Sequence, residues 1–155
     1  MVHKLEVEVI IEVPRGSLIK RDSADHIDYF SPIPCPFNYG SVDTHIGLDG
    51  DRLDAVVLGR RLKRGSRLTV EVRGAVRMSD RGMRDDKLIC SSRPLGKWKR
   101  KGILLFFKFY ALCKWLINIP RGHFGRNQCL GWIDARSAIE EAEKRPDRRT
   151  DPHLP

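Results

Sequence analysis

Residues 48–57 read LDGDRLDAVV, and this stretch says more about fold and chemistry than any other part of the chain. The carboxylates of Asp49, Asp51 and Asp54 stand directly before an apolar run. That run, Leu53–Leu58, is compact and rich in valine, which predicts a buried strand. Carboxylates on a loop anchored by a buried strand supply the oxygen ligands that hydrated Mg²⁺ prefers.

The same aspartates have a plainer explanation as a solvated Asp-Gly turn between strands, which Gly50 permits. A calcium-binding EF-hand is disfavoured, because Arg60 stands where the bidentate glutamate of such a loop belongs. A second acidic group, formed by Asp80, Asp85 and Asp86, also lies beside predicted strands. Two acidic groups in a cationic chain favour one site for several metal ions over two unrelated turns.

The remaining pattern predicts strands first and helices later. Leu5–Val13 and Arg67–Val76 alternate apolar and polar residues, as half-buried strands do, and Lys87–Cys90 is a further short strand. Residues 28–36 contain three prolines, which predicts short extended pieces and turns. This order predicts an α+β fold, with a small barrel on which helices pack.

The main helix is predicted over about residues 103–118, ahead of Pro120 and Gly122. The lysines and the short length of this helix argue against a bilayer span. A helix lying on a membrane surface is a weaker interpretation than a helix packed on the domain, because its other face is not richly basic. A second helix is predicted over Asp134–Lys144, capped by Asp134, and a disordered tail over 146–155. The apolar residues that recur at helical spacing, and so predict a helix packed on the domain, are Leu105, Phe106, Phe109, Leu112, Cys113 and Leu116.

Size and composition set the broad class. The 155 residues suit one domain, placed at residues 1–145. The formal charge of +9 favours an anionic partner, and a solubilising surface is the alternative explanation of the same charge. A phosphate compound, nucleic acid or an anionic membrane would each satisfy that charge. The four cysteines include no Cys-x-x-Cys pair, which argues against structural zinc and suits a reducing, cytoplasmic location.

From about residue 5 to residue 145, a series of short motifs in order resembles the soluble family I inorganic pyrophosphatases. The resemblance implies a five-stranded, OB-like barrel with flanking helices in a homo-oligomer, often a hexamer. It is carried by IEVP at 11–14, IK at 19–20, FNYG at 37–40, DGDRLD at 49–54, MSD at 78–80, DDK at 85–87, FFKFY at 106–110 and GW at 131–132.

The resemblance also implies a reaction: hydrolysis of inorganic pyrophosphate to two phosphates by direct attack of a metal-bound hydroxide, with several Mg²⁺ ions per site. Asp51 would orient or deprotonate the attacking water, and Tyr39 would line the nucleophile site. The implied phosphate contacts are Lys20, Lys87 and Tyr110. The implied metal ligands are Glu12, Asp49, Asp54, Asp80 and Asp85.

Several positions depart from the family pattern, among them four that bear on the site. Tyr29 replaces an arginine, Cys35 a tyrosine, Arg81 an acidic residue and Ala111 a lysine. Two of these changes remove cationic phosphate contacts, so weaker substrate binding is expected.

The departures leave an alternative open. It is a weakened or inactive relative that acts on another phosphoanhydride, or that binds phosphate or nucleic acid through basic runs at 60–64 and 97–101. A solvated rim is the favoured explanation of those runs, so neither nucleic acid nor a membrane is expected as a partner.

Overall fold

A barrel of five strands forms the centre of the molecule. The computed structural model describes residues 4–21, 27–30, 34–46, 52–80, 83–118 and 127–144. The strands are β1 (Glu6–Val13), β2 (Ile19–Arg21), β3 (Ile27–Phe30), β4 (Asn38–Ile46), β5 (Arg52–Val57), β6 (Arg67–Asp80), β7 (Met83–Arg84), β8 (Lys87–Cys90), β9 (Asn127–Ile133) and β10 (Glu143–Lys144). The helices are α1 (Lys97–Asn118) and α2 (Ala135–Glu141).

The barrel strands follow the order β1-β4-β5-β8-β6, and β1 pairs with β6 to close the ring. Only the β5–β8 pair within this ring is parallel, and the other four pairs are antiparallel. β9 adds to the outer part of β6, while β2 and β3 form a separate hairpin. The predicted α+β class with a five-stranded barrel is confirmed.

The alternation of β1 explains the barrel interior. Val7, Val9, Ile11 and Val13 are buried on one face, whereas the glutamates between them are exposed or half-buried. Val7, Val9 and Ile11 join buried side chains of β5 and β8 in one apolar cluster. Burying such a row against the other strands is the main favourable contribution to folding.

Two of the longer strands, β4 and β9, were not predicted from the sequence. β4 has the sequence NYGSVDTHI, in which Val42 is buried but no run of apolar residues alternates with polar ones. β9 contains Gly131 at a φ of 111° beside a register shift in its pairing with β6. β9 pairs with β6, which is distant in sequence, and β4 is held between β1 and β5, so neither strand depends on a local apolar pattern.

Helix α1 begins six residues earlier than predicted, at Lys97. Residues 97–102 read KWKRKG and carry no apolar stripe, so the helical spacing becomes visible only at Ile103. The helix packs on the barrel, as predicted, but through a different face. Ile103, Phe107 and Ala111 are buried, whereas the side chains that the spacing marked are largely turned to solvent: Leu105, Phe109, Leu112 and Leu116 are all exposed.

Helix α2 is present, with the predicted N-cap. The Asp134 carboxylate accepts a hydrogen bond from the backbone N–H of Ser137 at 3.2 Å. The helix ends at Glu141 rather than Lys144, because the next residues turn to pair with β4 as strand β10. The predicted tail at 146–155 lies outside the described residues. Neither described helix has the length and hydropathy that a membrane span requires.

Candidate active site

A row of polar side chains crosses four neighbouring barrel strands at one level. Ser41 of β4 is the register partner of Asp54 on β5, and Asp54 is in turn the partner of Lys87 on β8. On the other side, the Ser41 hydroxyl donates a hydrogen bond of 2.9 Å to the Glu12 carboxylate of β1. Strand pairing therefore brings together residues up to 75 positions apart in the chain, from Glu12 to Lys87.

Lys87 is the centre of this row. Its side chain is only 5% exposed, and its ammonium group contacts the Asp54 carboxylate and donates to Asp85 Oδ2 at 2.7 Å. The two carboxylates come from separate segments and converge on one cationic point. Such a buried charge is tolerated only because it is paired and hydrogen-bonded.

The tyrosine of the site lies beside the ammonium group. The Nζ atom of Lys87 is 5.7 Å from the centre of the Tyr39 ring, a favourable cation–π distance. Burial raises the pKa of Tyr39 well above its ordinary value, and the negative charge of Asp54 adds to the effect. The phenol therefore stays protonated at neutral pH and can donate a hydrogen bond.

The ionisation of Lys87 is governed by opposing effects. Burial by itself lowers the pKa of the ammonium group, but the charge of Asp54 and of other neighbours outweighs it, so the pKa lies well above the ordinary value. Lys87 therefore remains a cation throughout the physiological range. A fixed buried cation next to carboxylates can stabilise charge on a phosphate oxygen.

Tyr110 approaches the same region from α1. Its ring stacks on Phe106, with centroids 6.3 Å apart, and meets Phe107 edge-on at the same distance. Tyr39 and Tyr110 both pack against the apolar cluster between α1 and the barrel, and Tyr110 is among the groups that influence the Tyr39 phenol. The aromatic motif of α1 thus anchors one wall of the site.

The neighbours of Tyr39 hold it in place. The buried Asn38 side chain accepts hydrogen bonds from the backbone N–H groups of Arg15 and Leu62, at 3.0 and 2.9 Å. It also donates to two backbone carbonyls, so its amide ties together two loops. Gly40 has no room for a side chain, since a Cβ would lie 2.0 Å from the Ile10 carbonyl oxygen. The NYG motif therefore consists of one site residue between two structural ones.

The other implied site residues are only partly visible. Asp49 and Asp51 lie outside the described residues. Asp80 ends β6, opposite Met83 of β7, and Lys20 pairs with Tyr29 in the β2–β3 hairpin. The side chains of Asp80 and Lys20 fall outside the described part. The structure therefore brings together the side chains of Glu12, Tyr39, Asp54, Asp85, Lys87 and Tyr110, and it leaves four implied residues without a described side chain.

Comparison with known proteins identifies the family. A model of the family described as inorganic pyrophosphatase matches residues 9–101, which is more than half of the chain. The inorganic pyrophosphatase of Halalkalibacterium halodurans is 32% identical over 125 residues, covering 67% of this chain and 76% of that protein. The chain belongs to the inorganic pyrophosphatase family.

Other members of the inorganic pyrophosphatase family agree with this. The Streptomyces coelicolor inorganic pyrophosphatase is 37% identical over 95 residues, and the match spans 56% of this chain and 58% of that protein. The chain thus spans less than two thirds of the length of that curated relative. The crystal structure of inorganic pyrophosphatase from Thermus thermophilus superposes with a TM-score of 0.71 at 27% identity, over 88% of this chain and 86% of that one.

The residues present suit the metal chemistry typical of the inorganic pyrophosphatase family. The carboxylates of Asp54 and Asp85 both contact the Lys87 ammonium group, so two oxygen donors lie side by side next to a positive charge. Within the described ranges, no group of three or more acidic, histidine or cysteine side chains forms a metal site. Asp49, another ligand that the resemblance implies, lies outside those ranges, and so does the side chain of Asp80.

The structure shows the surroundings of two residues that depart from the inorganic pyrophosphatase pattern, Ala111 and Cys35. Ala111 is 4% exposed and packs between α1 and the barrel, so a methyl group stands where the family has a lysine. The Cys35 thiol donates to the Phe37 carbonyl, and burial raises the pKa of this thiol, which keeps it protonated. Tyr29 lies opposite Lys20 in the hairpin, and Arg81 lies outside the described residues.

Sequence reasoning missed a supporting network behind the site. Arg77 donates to both oxygens of the buried Asp86, at 3.3 and 3.4 Å, and it also contacts Glu141 of α2. Asp86 stands between Asp85 and Lys87, so this network fixes the segment that carries two site residues. No local signal shows it, because the three partners are distant in sequence. Ser41 could have been found, since it lies two residues after Tyr39 and so on the same face of the strand.

Proposed function

We propose that this chain hydrolyses inorganic pyrophosphate to two phosphates in a Mg²⁺-dependent reaction. The observation that carries the proposal is the convergence of Asp54, Asp85, Lys87 and Tyr39 in a chain of the inorganic pyrophosphatase family. The site combines carboxylates that can hold a divalent cation with a fixed cation and a protonated phenol that can meet a phosphate group. Both kinds of group suit a diphosphate whose charge is shared between divalent cations and protein donors.

The metal ligands proposed are Asp54 and Asp85, together with Asp49, Asp80 and Glu12. When bound, Mg²⁺ would neutralise the charge of the diphosphate and activate a water molecule as the nucleophile. Glu12 is held by Ser41 at 2.9 Å, which orients its carboxylate toward the Asp54 side of the row. Hydrogen bonds that orient a ligand in this way commonly tune the site that it serves.

The other residues bind the substrate or accept the proton of the attacking water molecule. Asp51 accepts the proton of the attacking water as the new phosphorus–oxygen bond forms and the bridging oxygen leaves. Lys87, Lys20 and Tyr110 contact phosphate oxygens, and the Lys87 cation stabilises charge on the leaving phosphate. Tyr39, kept protonated by its surroundings, donates a hydrogen bond at the nucleophile side.

Substrate binding is proposed to be weaker than in relatives that keep the family's cations. The buried Ala111 offers no charge, and Tyr29 stands where a bidentate arginine clamp is usual. Each charge-assisted hydrogen bond to phosphate contributes about 1.5–3 kcal/mol, so the two losses together should raise KM by at least about 100-fold. A steady-state assay that gave ordinary pyrophosphatase efficiency would reject this part of the proposal.

The decisive experiment measures phosphate release from pyrophosphate with and without Mg²⁺. We expect Mg²⁺-dependent release by the natural chain and a loss of at least 100-fold in kcat for Asp51→Asn, which keeps the shape but removes the base. Asp54→Asn should lose both turnover and Mg²⁺ affinity. Glu8→Gln is the matched control, because this exposed carboxylate of β1 pairs, among the described residues, only with the exposed Arg67 of the neighbouring strand β6.

The outcomes separate the possible functions. If the chain released phosphate from a larger phosphoanhydride in the presence of Mg²⁺ but not from pyrophosphate, pyrophosphate would be rejected as the substrate. Release that Asp51→Asn and Asp54→Asn leave unchanged would reject the site. The homo-oligomeric state, the hexamer and the cytoplasmic location stay predictions that these assays do not address.

A further inference from the structure

Four charged side chains join beside segment 84–87 of the candidate site. The Glu141 carboxylate of α2 contacts the Arg77 guanidinium group of β6 and accepts a hydrogen bond of 2.7 Å from Arg84 of β7. Arg77 also donates to both carboxylate oxygens of Asp86, at 3.3 and 3.4 Å. The side chains of Arg77 and Asp86 are only 19% and 7% exposed, so water and salt screen this pair weakly.

The network holds both neighbours of one site residue. Arg84 and Asp86 flank Asp85 in sequence. Contacts alternate along the segment as they do in an extended chain, where successive side chains point to opposite sides. Arg84 and Asp86 join the network, whereas Asp85 accepts a hydrogen bond of 2.7 Å from the Lys87 ammonium group. The network therefore grips one side of the segment whose other side carries the site.

Helix α2 is a firm anchor for this network. Its Ala135 and Ala138 are buried in the same apolar cluster as the side chains of β1, β5 and β8. The residues after the helix pair as β10 with the end of β4. Glu141 stands between these two attachments, so packing outside the site fixes its position. Glu141 also lies outside residues 9–101, which the family model matches, and the resemblance gives it no role.

We propose that α2 belongs to the machinery of the site, with Glu141 and Arg77 as positioning residues. By holding the two neighbours of Asp85, they fix the direction in which Asp85 and Lys87 point. The effect on turnover rests on the proposed function, whereas the effect on the segment rests on the fold alone. Losing a hydrogen bond that orients a metal ligand typically lowers metal affinity or activity by about 10- to 100-fold.

A purely structural role of Glu141 predicts a different pattern. Its side chain is 40% exposed, and ion pairs of such exposed groups contribute little to stability. Neutralising Glu141 should therefore leave the melting temperature nearly unchanged. A drop in metal affinity without a drop in melting temperature would be the mark of a positioning residue.

The test compares Glu141→Gln with Glu140→Gln, the same change at the neighbouring exposed carboxylate of α2. Isothermal titration calorimetry on the chain without substrate should show Mg²⁺ binding about tenfold weaker in Glu141→Gln alone. In the metal-free chain, the backbone N–H of Asp85, which donates to the Met78 carbonyl at 2.8 Å, should exchange with solvent several-fold faster. Thermal melts of the metal-free variants measure stability.

Arg77→Lys provides a second test. It keeps the positive charge but lacks the planar fork of donors that reaches both Asp86 oxygens. The loss of Mg²⁺ affinity should resemble that of Glu141→Gln. Because both residues act through one network, the double variant should lose less than the product of the two separate losses.

The possible outcomes separate this inference from the proposed function. If Glu141→Gln matched Glu140→Gln in Mg²⁺ affinity and in Asp85 exchange, the positioning role would be overturned, whether or not the natural chain hydrolyses pyrophosphate. A melting temperature that fell together with the affinity would overturn it in favour of a structural role. If the natural chain did not hydrolyse pyrophosphate, the proposed function would fail, and faster exchange at Asp85 would still support the positioning role.

Discussion

Lys87 shows how one side chain can serve folding and chemistry together. Its ammonium group neutralises Asp54 and Asp85 in a place where water reaches little of it. The same charge is available to a phosphate group that enters the site. Stability and function therefore depend on the same contacts, and a change at this residue should register in both.

Replacing Lys87 by methionine should lower the free energy of unfolding by about 3 kcal/mol, because the two carboxylates lose their common partner. Mg²⁺ should then raise the melting temperature more in the variant than in the natural chain, since the metal supplies the missing positive charge. Thermal melts with and without Mg²⁺ measure both effects.

The control for this change is Arg67→Met. Arg67 pairs with Glu8 at 3.2 Å, but both side chains are more than half exposed, so little stability should be lost. Equal destabilisation by the two substitutions would contradict the account of Lys87. Equal Mg²⁺ responses in the variant and the natural chain would show that the carboxylates do not hold the metal.

At the scale of elements, the hydrogen bonds of one side chain fix the start of β4, whereas the burial of alternating apolar residues contributes little there. Asn38 makes four hydrogen bonds to the backbone of the segments that follow β1 and β5. The strand begins at this residue, and Tyr39 follows it directly. The position of a site residue thus depends on a buried amide that does no chemistry.

Asn38→Ala should lower the free energy of unfolding by about 3 kcal/mol, because it leaves several backbone groups without partners. The N–H groups of Arg15 and Leu62 should exchange with solvent faster than in the natural chain, which amide hydrogen exchange measures. Gln128→Ala, at an exposed amide of β9, is the matched control and should change neither quantity. Unchanged exchange at both N–H groups would contradict the assignment.

Helix α1 shows what periodicity does and does not determine. The recurrence of apolar residues correctly predicted a helix that ends near residue 118, and its packing on the barrel. Both sides of this helix are apolar, however, so spacing alone could not choose between the side with Phe107 and the side with Phe109. The choice depends on the shape of the barrel surface, which no local pattern contains.

At the scale of the whole molecule, the groups with raised pKa values make the fold sensitive to alkali. Burial raises the pKa of Cys90 from 9.0 to about 12. Above pH 9 the unfolded chain loses this proton while the folded chain keeps it, so the stability is full below pH 9 and falls as the pH rises toward 12. Lys87 and Tyr39, whose folded pKa values are also raised, add in the same direction above about pH 10.

Urea unfolding between pH 7 and pH 11 measures this effect. The free energy of unfolding should decline from about pH 9 upward, and Cys90→Ala should delay the decline. A stability that stayed constant to pH 11, or a decline that the substitution did not shift, would contradict the prediction.

Much of the barrel could be predicted because its strands have local signatures. β1, β5 and β6 show alternation or compact apolar runs, and their predicted positions are confirmed within a few residues. Local patterns do not predict the site, because the contact between Asp54 and Lys87 joins residues 33 positions apart through a parallel strand pair. Only resemblance to a family could suggest it, and the roles of the individual residues stay predictions.

The pairing of β1 with both β4 and β6 has a consequence for synthesis of the chain. Residues 6–13 can find their first partner once β4 has left the ribosome, but their other edge stays open until β6, which ends at Asp80, has also emerged. For that interval the nascent chain presents a bare strand edge lined with valine and isoleucine, the kind of surface that chaperones shield.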